Sequence, residues 1–345
     1  MNLFQKYLLD EYIEDYQHQL ISRREALKVI ASVVGSLVVA NSILAACAPL
    51  DEATSEPIST LPATALNTPS LVASASPTSP AAADATATSS AVNSTPQNST
   101  ASQPQAEVPH STVAADDPLV IATALEFPAE DTNLMGYLSR PASSEPAPVI
   151  LVCHENRGLT PHIQDVTRRL AKAGYVALAV DLLSRQGGTT SLDSGDVPGT
   201  LGNISPDTFV QDFLAGWRYL QEQKFALTER VGMTGFCFGG GVTWRVATQM
   251  AELKAAVPFY GPHPELSDVP NIQAAVQAIY GERDTRINAG IPAIEAAMQE
   301  NGKIFAKIIY PDSDHAFFND TGTRYNPTAA QDAWKQLLAW FQQYV

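Results

Sequence analysis

Between residues 117 and 345 the chain alternates short apolar runs with longer stretches of helical spacing. Pro148–Cys153 (PVILVC) and Tyr175–Val180 (YVALAV) are apolar throughout, as strands are when helices cover both faces of a parallel sheet. Between them Val166, Leu170 and Ala173 recur at helical spacing over His162–Ala173, and Gly174 stands where a glycine closes a helix. The same pattern predicts a helix over Pro206–Gln223, with Phe209, Phe213, Trp217 and Leu220 on one face. Further helices are predicted over Gly240–Met250, Ile291–Asn301 and Ala329–Val345, and strands over Arg230–Phe236, Ala255–Tyr260, Val276–Tyr280 and Lys303–Ile309. Two earlier segments, Leu119–Glu126 and Leu134–Ser139, are expected to pair as an antiparallel hairpin at one sheet edge. The expected fold class is one α/β domain with a mostly parallel, doubly wound sheet flanked by helices. Right-handed crossovers then bring the strand C-termini to one edge, where ligands bind.

Upstream of this domain the pattern changes twice. Residues 1–46 read as an address rather than as part of the fold. Ser22-Arg23-Arg24-Glu25-Ala26-Leu27-Lys28 precedes an apolar run from Val29 to Ala46. Paired arginines ahead of such a run resemble a twin-arginine export signal, with Ala26 where that motif usually has Phe. Leu44-Ala45-Ala46-Cys47 resembles the cleavage box of a bacterial lipoprotein, which implies a lipid on Cys47 and a mature chain beginning there. The acidic stretch from Asp10 to Asp15 is unusual ahead of such a signal. An uncleaved anchor is the alternative, because the run lies at the short end of the roughly 17–25 residues that span a bilayer. Both readings place the rest of the chain outside the cytoplasm, held at a membrane surface. Residues 47–116, rich in Ala, Ser, Thr and Pro and nearly free of aromatics, are expected to be a disordered tether, because they cannot bury enough apolar surface to offset chain entropy.

Charge supports the division. Residues 1–46 hold four bases and five acids, residues 47–116 hold six acids and no base, and residues 117–345 carry a net −8 of the total −15. An excess of acids excludes nucleic-acid binding through phosphates, which needs clustered Lys and Arg. Three scattered cysteines exclude a disulfide scaffold and a four-Cys zinc site. His154 and His162 bracket a loop without a Cys or carboxylate to complete a zinc set, so no metal is expected.

Chemistry enters at Thr234-Gly235-Phe236-Cys237-Phe238-Gly239-Gly240, a G-x-C-x-G sequence at a predicted strand-to-helix turn. A tight turn there lifts the Cys237 thiol above the sheet, with glycines on either side allowing close approach. The following helix N-terminus favours thiolate, and the N–H of Phe238 is placed to donate to an oxyanion. Tyr280-Gly281-Glu282-Arg283-Asp284 ends a later strand and Tyr310-Pro311-Asp312-Ser313-Asp314-His315 ends the last. Nucleophile, acid and base in this order at three strand ends predict a Cys237–Asp284–His315 triad.

These motifs, together with His154-Glu155-Asn156-Arg157-Gly158, Asp181-Leu182-Leu183-Ser184-Arg185, His315-Ala316-Phe317 and Arg324-Tyr325-Asn326-Pro327 leading to Trp334, resemble the dienelactone hydrolase family of α/β-hydrolases over residues 117–345. The resemblance implies that Glu155 accepts a hydrogen bond from the resting thiol, that the Asn156 N–H is the second oxyanion donor, and that Arg185 pairs with a substrate carboxylate. Tyr260 is expected to line the pocket. Where the family's lactone hydrolases have a second Arg, four residues after the catalytic His, this chain has Asn319. Cys153 is expected to be a buried free thiol, and Gly187–Gly202 a mobile rim over the site. The implied activity is hydrolysis of small activated esters or lactones through an acyl-enzyme, with no cofactor, by a monomer. Neutral or envelope-derived esters are an alternative substrate class, and a surface-anchored binding protein on the same fold is an alternative function.

Overall fold

The computed structural model describes residues 1–47 and 112–345, so most of the expected tether lies outside the described residues. One eight-stranded sheet organises the chain. Its strands are β1 (Val120–Pro128), β2 (Asn133–Pro141), β3 (Ala147–Cys153), β4 (Val176–Val180), β5 (Ala226–Phe236), β6 (Ala255–Phe259), β7 (Ala275–Gly281) and β8 (Phe305–Tyr310). Their spatial order is β1-β2-β4-β3-β5-β6-β7-β8. The expected hairpin is present at the edge: β1 and β2 run antiparallel, with Val120 opposite Pro141 and Pro128 opposite Asn133. The strands from β3 onward pair in parallel. Every residue of β4, and Val149–Cys153 of β3, is buried, as the uninterrupted apolar runs require.

The path of the chain creates the site. From β3 it moves toward the β1 edge to reach β4, and from β5 it moves the opposite way to β6. The adjacent C-termini of β3 and β5 therefore diverge, leaving a crevice where the topology switches. The loop after β3 begins with His154 and the turn after β5 carries Cys237, so both reach this crevice.

The leader departs from expectation. It folds into α1 (Leu3–Gln17), α2 (Arg23–Val34) and α3 (Leu37–Ala46). Asn2 and Gln5 form a reciprocal capping box on α1, and Ser22 and Glu25 form one on α2, which satisfies N–H groups that would otherwise lack partners. The arginine pair thus opens a capped helix. Gly35, at φ 73°, and Ser36 divide the apolar run into two short helices. No helix among the described residues is long and apolar enough to cross a membrane.

Rather than standing apart, the leader shares the domain's apolar core through Phe4, Leu8, Ala26 and Ile30. The Phe4 ring centroid lies 5.5 Å from Phe209 and 4.9 Å from Phe238. Burial of Phe4 and Leu8 contributes about 1.5–3 kcal/mol each, which local helix propensity alone does not supply.

The remaining helices are α4 (Pro161–Lys172), α5 (Val197–Asn203), α6 (Pro206–Gln221), α7 (Phe238–Gln249), α8 (Thr285–Asn288), α9 (Ile291–Glu300) and α10 (Pro327–Tyr344). The stretch expected to be a mobile rim, Gly187–Gly202, contains most of α5, with Val197 and Leu201 buried and the leader packed against it. Its glycines serve close packing: a Cβ on Gly199 would meet Ser32 of α2 at 2.4 Å from its Cβ. The domain also begins before residue 117. Val113 is buried, and its N–H donates to Asp165 Oδ1 at 2.7 Å.

Candidate active site

Cys237 stands alone between the last residue of β5 and the first of α7, at φ 59° and ψ −122°. A non-glycine residue held there is strained, at about 1–3 kcal/mol, and persists only where its surroundings enforce it. They do so through two glycines. A Cβ on Gly235 would lie 2.2 Å from the Gly239 carbonyl oxygen, and one on Gly239 would lie 2.4 Å from that of His154. Only the absence of both side chains lets β3, β5 and α7 converge. Two further positive φ angles fall beside the site, 35° at Tyr260 after β6 and 63° at Ala316 after His315. Phe238 opens α7, so its N–H belongs to the first turn, which has no partner within the helix.

The predicted acid and base meet. Asp284, capping α8 after β7, places Oδ2 2.5 Å from His315 Nδ1, and both side chains are buried. Burial alone would depress the His315 pKa, but the charge and hydrogen bond of Asp284, followed by Cys237, hold it well above the ordinary histidine value. Burial would raise the Asp284 pKa, and the charge and hydrogen bond of His315 reverse that, leaving it lowered. The Cys237 thiol is pushed up by burial and then by Glu11, against the opposing hydrogen bond of His315. In this arrangement Cys237 rests as a neutral thiol.

Two side chains that the sequence did not nominate complete the surroundings of the sulfur, and both come from α1. The Tyr7 hydroxyl lies 3.1 Å from Cys237 Sγ and 3.3 Å from His315 Nε2. Glu11 accepts from Sγ at 3.5 Å and 3.6 Å on its two oxygens, and its Oε1 lies 3.7 Å from His315 Nε2. The acidic stretch Asp10–Asp15, odd for an export leader, was the one sequence signal of this role.

Glu155 does not hold the thiol as expected. Its Oε2 instead accepts from Asn319 Nδ2 at 2.6 Å, the residue at the position of the missing second Arg. Its Oε1 is buried without a hydrogen-bond partner. The physical reason is that Glu11 already occupies the place beside the sulfur, and the Asn319 amide reaches Glu155. Asn156 is at the site, but by its side chain, which donates to Glu11 Oε1 at 3.0 Å.

Tyr260 was expected to line the pocket, but it is fully buried behind His315 and is not among the residues lining the cleft over Cys237. Its ring centroid is 5.0 Å from that of His315, and its buried hydroxyl has no partner. Burial, and then the charges of Glu155 and Cys237, raise its pKa well above the usual value. Arg185 does not join the site. It donates to Asp212 at 2.9 Å from both Nη1 and Nη2, and to Asp131 at 2.8 Å from Nε and Nη2. It lines a separate cleft of about 590 Å³ with Asp131, Ser205, Asp207 and Asp212. The cleft over Cys237, about 350 Å³, is lined instead by Glu155, Asn156, Arg157, Asn319, Arg324 and leader residues.

Cys153 is a buried free thiol, as expected, and Cys47 and Cys237 are also unpaired. His154 acts as a structural staple: Nδ1 donates to the Glu155 carbonyl at 2.7 Å, and Nε2 accepts from the Leu182 N–H at 3.2 Å. Burial depresses its pKa, which keeps it neutral. His162 pairs with Asp320 at 2.9 Å. Among the described residues, one group of three possible metal ligands lies together, Glu11, Cys237 and His315, within 4.8 Å of one another. These are the same atoms that hydrogen bond in the site.

The sheet order, the strained Cys turn after β5 and the His–Asp pair after β8 and β7 define an α/β-hydrolase. Residues 134–345 match the dienelactone hydrolase family, and the chain belongs to that family. A relative named "Putative carboxymethylenebutenolidase" from Methylorubrum extorquens is 35% identical over 257 residues, covering 71% of this chain and 88% of the relative. A protein of the same name from Escherichia coli K12 is 32% identical over 250 residues, covering 67% of this chain and 90% of its own length. Among solved structures, a protein named "Putative Dienelactone Hydrolase" from Klebsiella pneumoniae superposes with a TM-score of 0.62 at 29% identity, covering 65% of this chain and 99% of that one.

Proposed function

We propose that this enzyme hydrolyses small activated esters or lactones, with Cys237 as nucleophile, His315 as base and acid, and Asp284 as the group that orients the imidazole. The observation that carries the reading is the strained Cys237 at the head of α7, with the His315–Asp284 contact of 2.5 Å beside it.

Each step follows from a named atom. Once substrate has displaced the groups around Sγ and His315 has released its resting proton to solvent, Nε2 takes the thiol proton and Sγ attacks the carbonyl carbon. The N–H groups of Phe238 and Asn156 receive the oxyanion. The ester C–O bond breaks, and His315 returns its proton to the leaving oxygen. Water then gives a proton to His315 and its oxygen to the acyl carbon, the C–S bond breaks as His315 returns that proton to the departing sulfur, and the acid leaves. Asp284 stabilises the imidazolium at each transfer. A sulfur nucleophile suits leaving groups of low basicity, such as enolates, which need little protonation. The relatives' names, carboxymethylenebutenolidase, agree with an enol-lactone substrate.

The reading includes export and attachment at a membrane surface through Cys47. Support comes from the arginine pair Arg23-Arg24, the small residues before Cys47, and the exposure of Leu37, Val38 and Val39 on α3, with 64% and 78% of the first two accessible. The catalytic test is hydrolysis of a chromogenic short-chain ester and of an enol lactone, with Cys237→Ala as control. Equal rates from the two proteins would sink the reading. Radiolabelled palmitate incorporation, lost in Cys47→Ser, tests the anchor.

A further inference from the structure

We propose that, in the chain before cleavage at Cys47, α1 is an intramolecular inhibitor, seated in the catalytic cleft as a product-like occupant and keeping substrate from Cys237. This rests on the hydrolase reading for the identity of the cleft, and goes beyond it. The geometry is specific to occupation. The Glu11 carboxylate lies 3.5 Å from Sγ and 3.7 Å from His315 Nε2, and accepts from the Asn156 side chain at 3.0 Å. A carboxylic acid leaving the acyl-enzyme would stand in the same place, beside nucleophile, base and amide donor. The Tyr7 hydroxyl bridges sulfur and imidazole at 3.1 Å and 3.3 Å, in the path a proton takes between them.

Two more acids of the same helix face find cations beside the cleft. Arg286 Nε donates to Glu14 Oε2 at 2.8 Å, and Arg324 Nη1 donates to Asp15 Oδ1 at 3.0 Å. The Arg286 guanidinium also stacks over the Tyr7 ring at 4.8 Å. Tyr7, Glu11, Glu14 and Asp15 are spaced at three, four and seven or eight residues, so one helical face supplies all four. The apolar anchors Phe4 and Leu8 are fully buried. Phe4 packs on Phe238, the residue whose N–H begins α7. The helix thus satisfies the nucleophile, the base, the amide of Asn156 and two arginines at once. A substrate must displace it, so the competent state is a minor fraction of the resting chain.

The test uses the full chain and two readouts. The first is ester hydrolysis. The second is the rate of iodoacetamide alkylation at Cys237, mapped by mass, which needs no turnover. The variants are Tyr7→Ala/Glu11→Ala, which clears the cleft, and Glu14→Ala/Asp15→Ala, which loosens the helix without touching the sulfur. Lys6→Ala, on the exposed side of α1, is the control and should match the parent. The expected result is a rise of about tenfold or more in both kcat/KM and alkylation rate for the first variant, and a smaller rise for the second. Faster alkylation with no hydrolysis in any protein would leave the occlusion standing and remove the hydrolase reading. Unchanged alkylation in both variants would overturn the proposal. So would faster alkylation with a fall in an otherwise measurable activity, because α1 would then be completing the site rather than blocking it.

Discussion

Two clefts open where the strands of this sheet end, and their charges are balanced in opposite ways. Around Arg185 the balance is internal: Asp131 lies between β1 and β2, Asp212 lies on α6, and together they hold the guanidinium. Around Cys237 the balance is borrowed. Arg286, Arg324 and Asn156 are answered by Glu14, Asp15 and Glu11, all from a helix far upstream of the sheet in sequence. A cleft whose charges are neutralised by its own walls has settled its electrostatics within the fold. One neutralised by a separable segment has donors and cations to offer when that segment leaves. The difference favours the second cleft in the proposed reading, although the family resemblance nominated Arg185, of the first, to pair with a substrate carboxylate.

The comparison breaks most decisively at the sulfur. Cys237→Ala removes the proposed nucleophile and should lower ester kcat/KM by on the order of 10³-fold or more, while Arg185→Ala should leave it within about threefold of the parent. Steady-state kinetics on the same ester measures both. If Arg185→Ala instead abolished turnover, the assignment of the clefts would be reversed. Next in size is Asp284→Asn, which keeps the shape but removes the charge that holds the imidazolium. A fall on the order of 10²–10³ in kcat, with KM little changed, is expected. A change confined to KM would mean that Asp284 serves binding instead.

Arg185 should reveal itself in stability. Asp212 is fully buried and has its charge answered by Arg185, which is itself about one-fifth exposed. Removing the guanidinium leaves a buried carboxylate unpaired, at a cost of about 2 kcal/mol once partial solvation of the pair is allowed for. Urea unfolding of Arg185→Ala measures it, with Asp131→Ala as a milder companion because Asp131 is largely exposed. Equal stability of Arg185→Ala and the parent would show that water or a neighbour replaces the arginine.

The contrast between the clefts also shows what a sequence carries. Strands β3 and β4 were legible because unbroken apolar runs mean burial on both faces, and Cys237 because two flanking glycines mark a backbone approach that local spacing encodes. Asp284 and His315 were legible because both fall at strand ends in chain order. The seating of α1 was not legible, since Tyr7 and Cys237 are 230 positions apart and nothing local specifies which surface an amphipathic helix covers. The leader's composition suited export, and the same Phe4, Leu8 and Ile30 suit a core. The exchange of partners at Glu155 was hidden likewise. Asn319 was visible as a departure, but that its amide would reach Glu155 depends on where Glu11 sits.

The smallest expected effect separates the clefts by pH. The His315 pKa is raised well above its unfolded value, with Asp284 the chief cause once burial has been overcome. The folded state therefore keeps a proton that the unfolded chain has lost above about pH 6.5. Its stabilising contribution is full below that point and declines as pH rises toward the folded value, by at most about 1.4 kcal/mol per pH unit. The Asp284 pKa is lowered, so its own contribution is present above about pH 3.9 and fades as pH falls through the folded value. Asp284→Asn removes the cause of the first shift and the whole of the second. Urea unfolding from pH 6 to pH 8 should show a downward slope in the parent that flattens in Asp284→Asn. The slope should persist in Arg185→Ala, whose lost partner does not titrate in that range. Parallel slopes in the parent and Asp284→Asn would mean that the imidazole is held by something other than this carboxylate, and the cleft over Cys237 would lose the electrostatic feature that sets it apart.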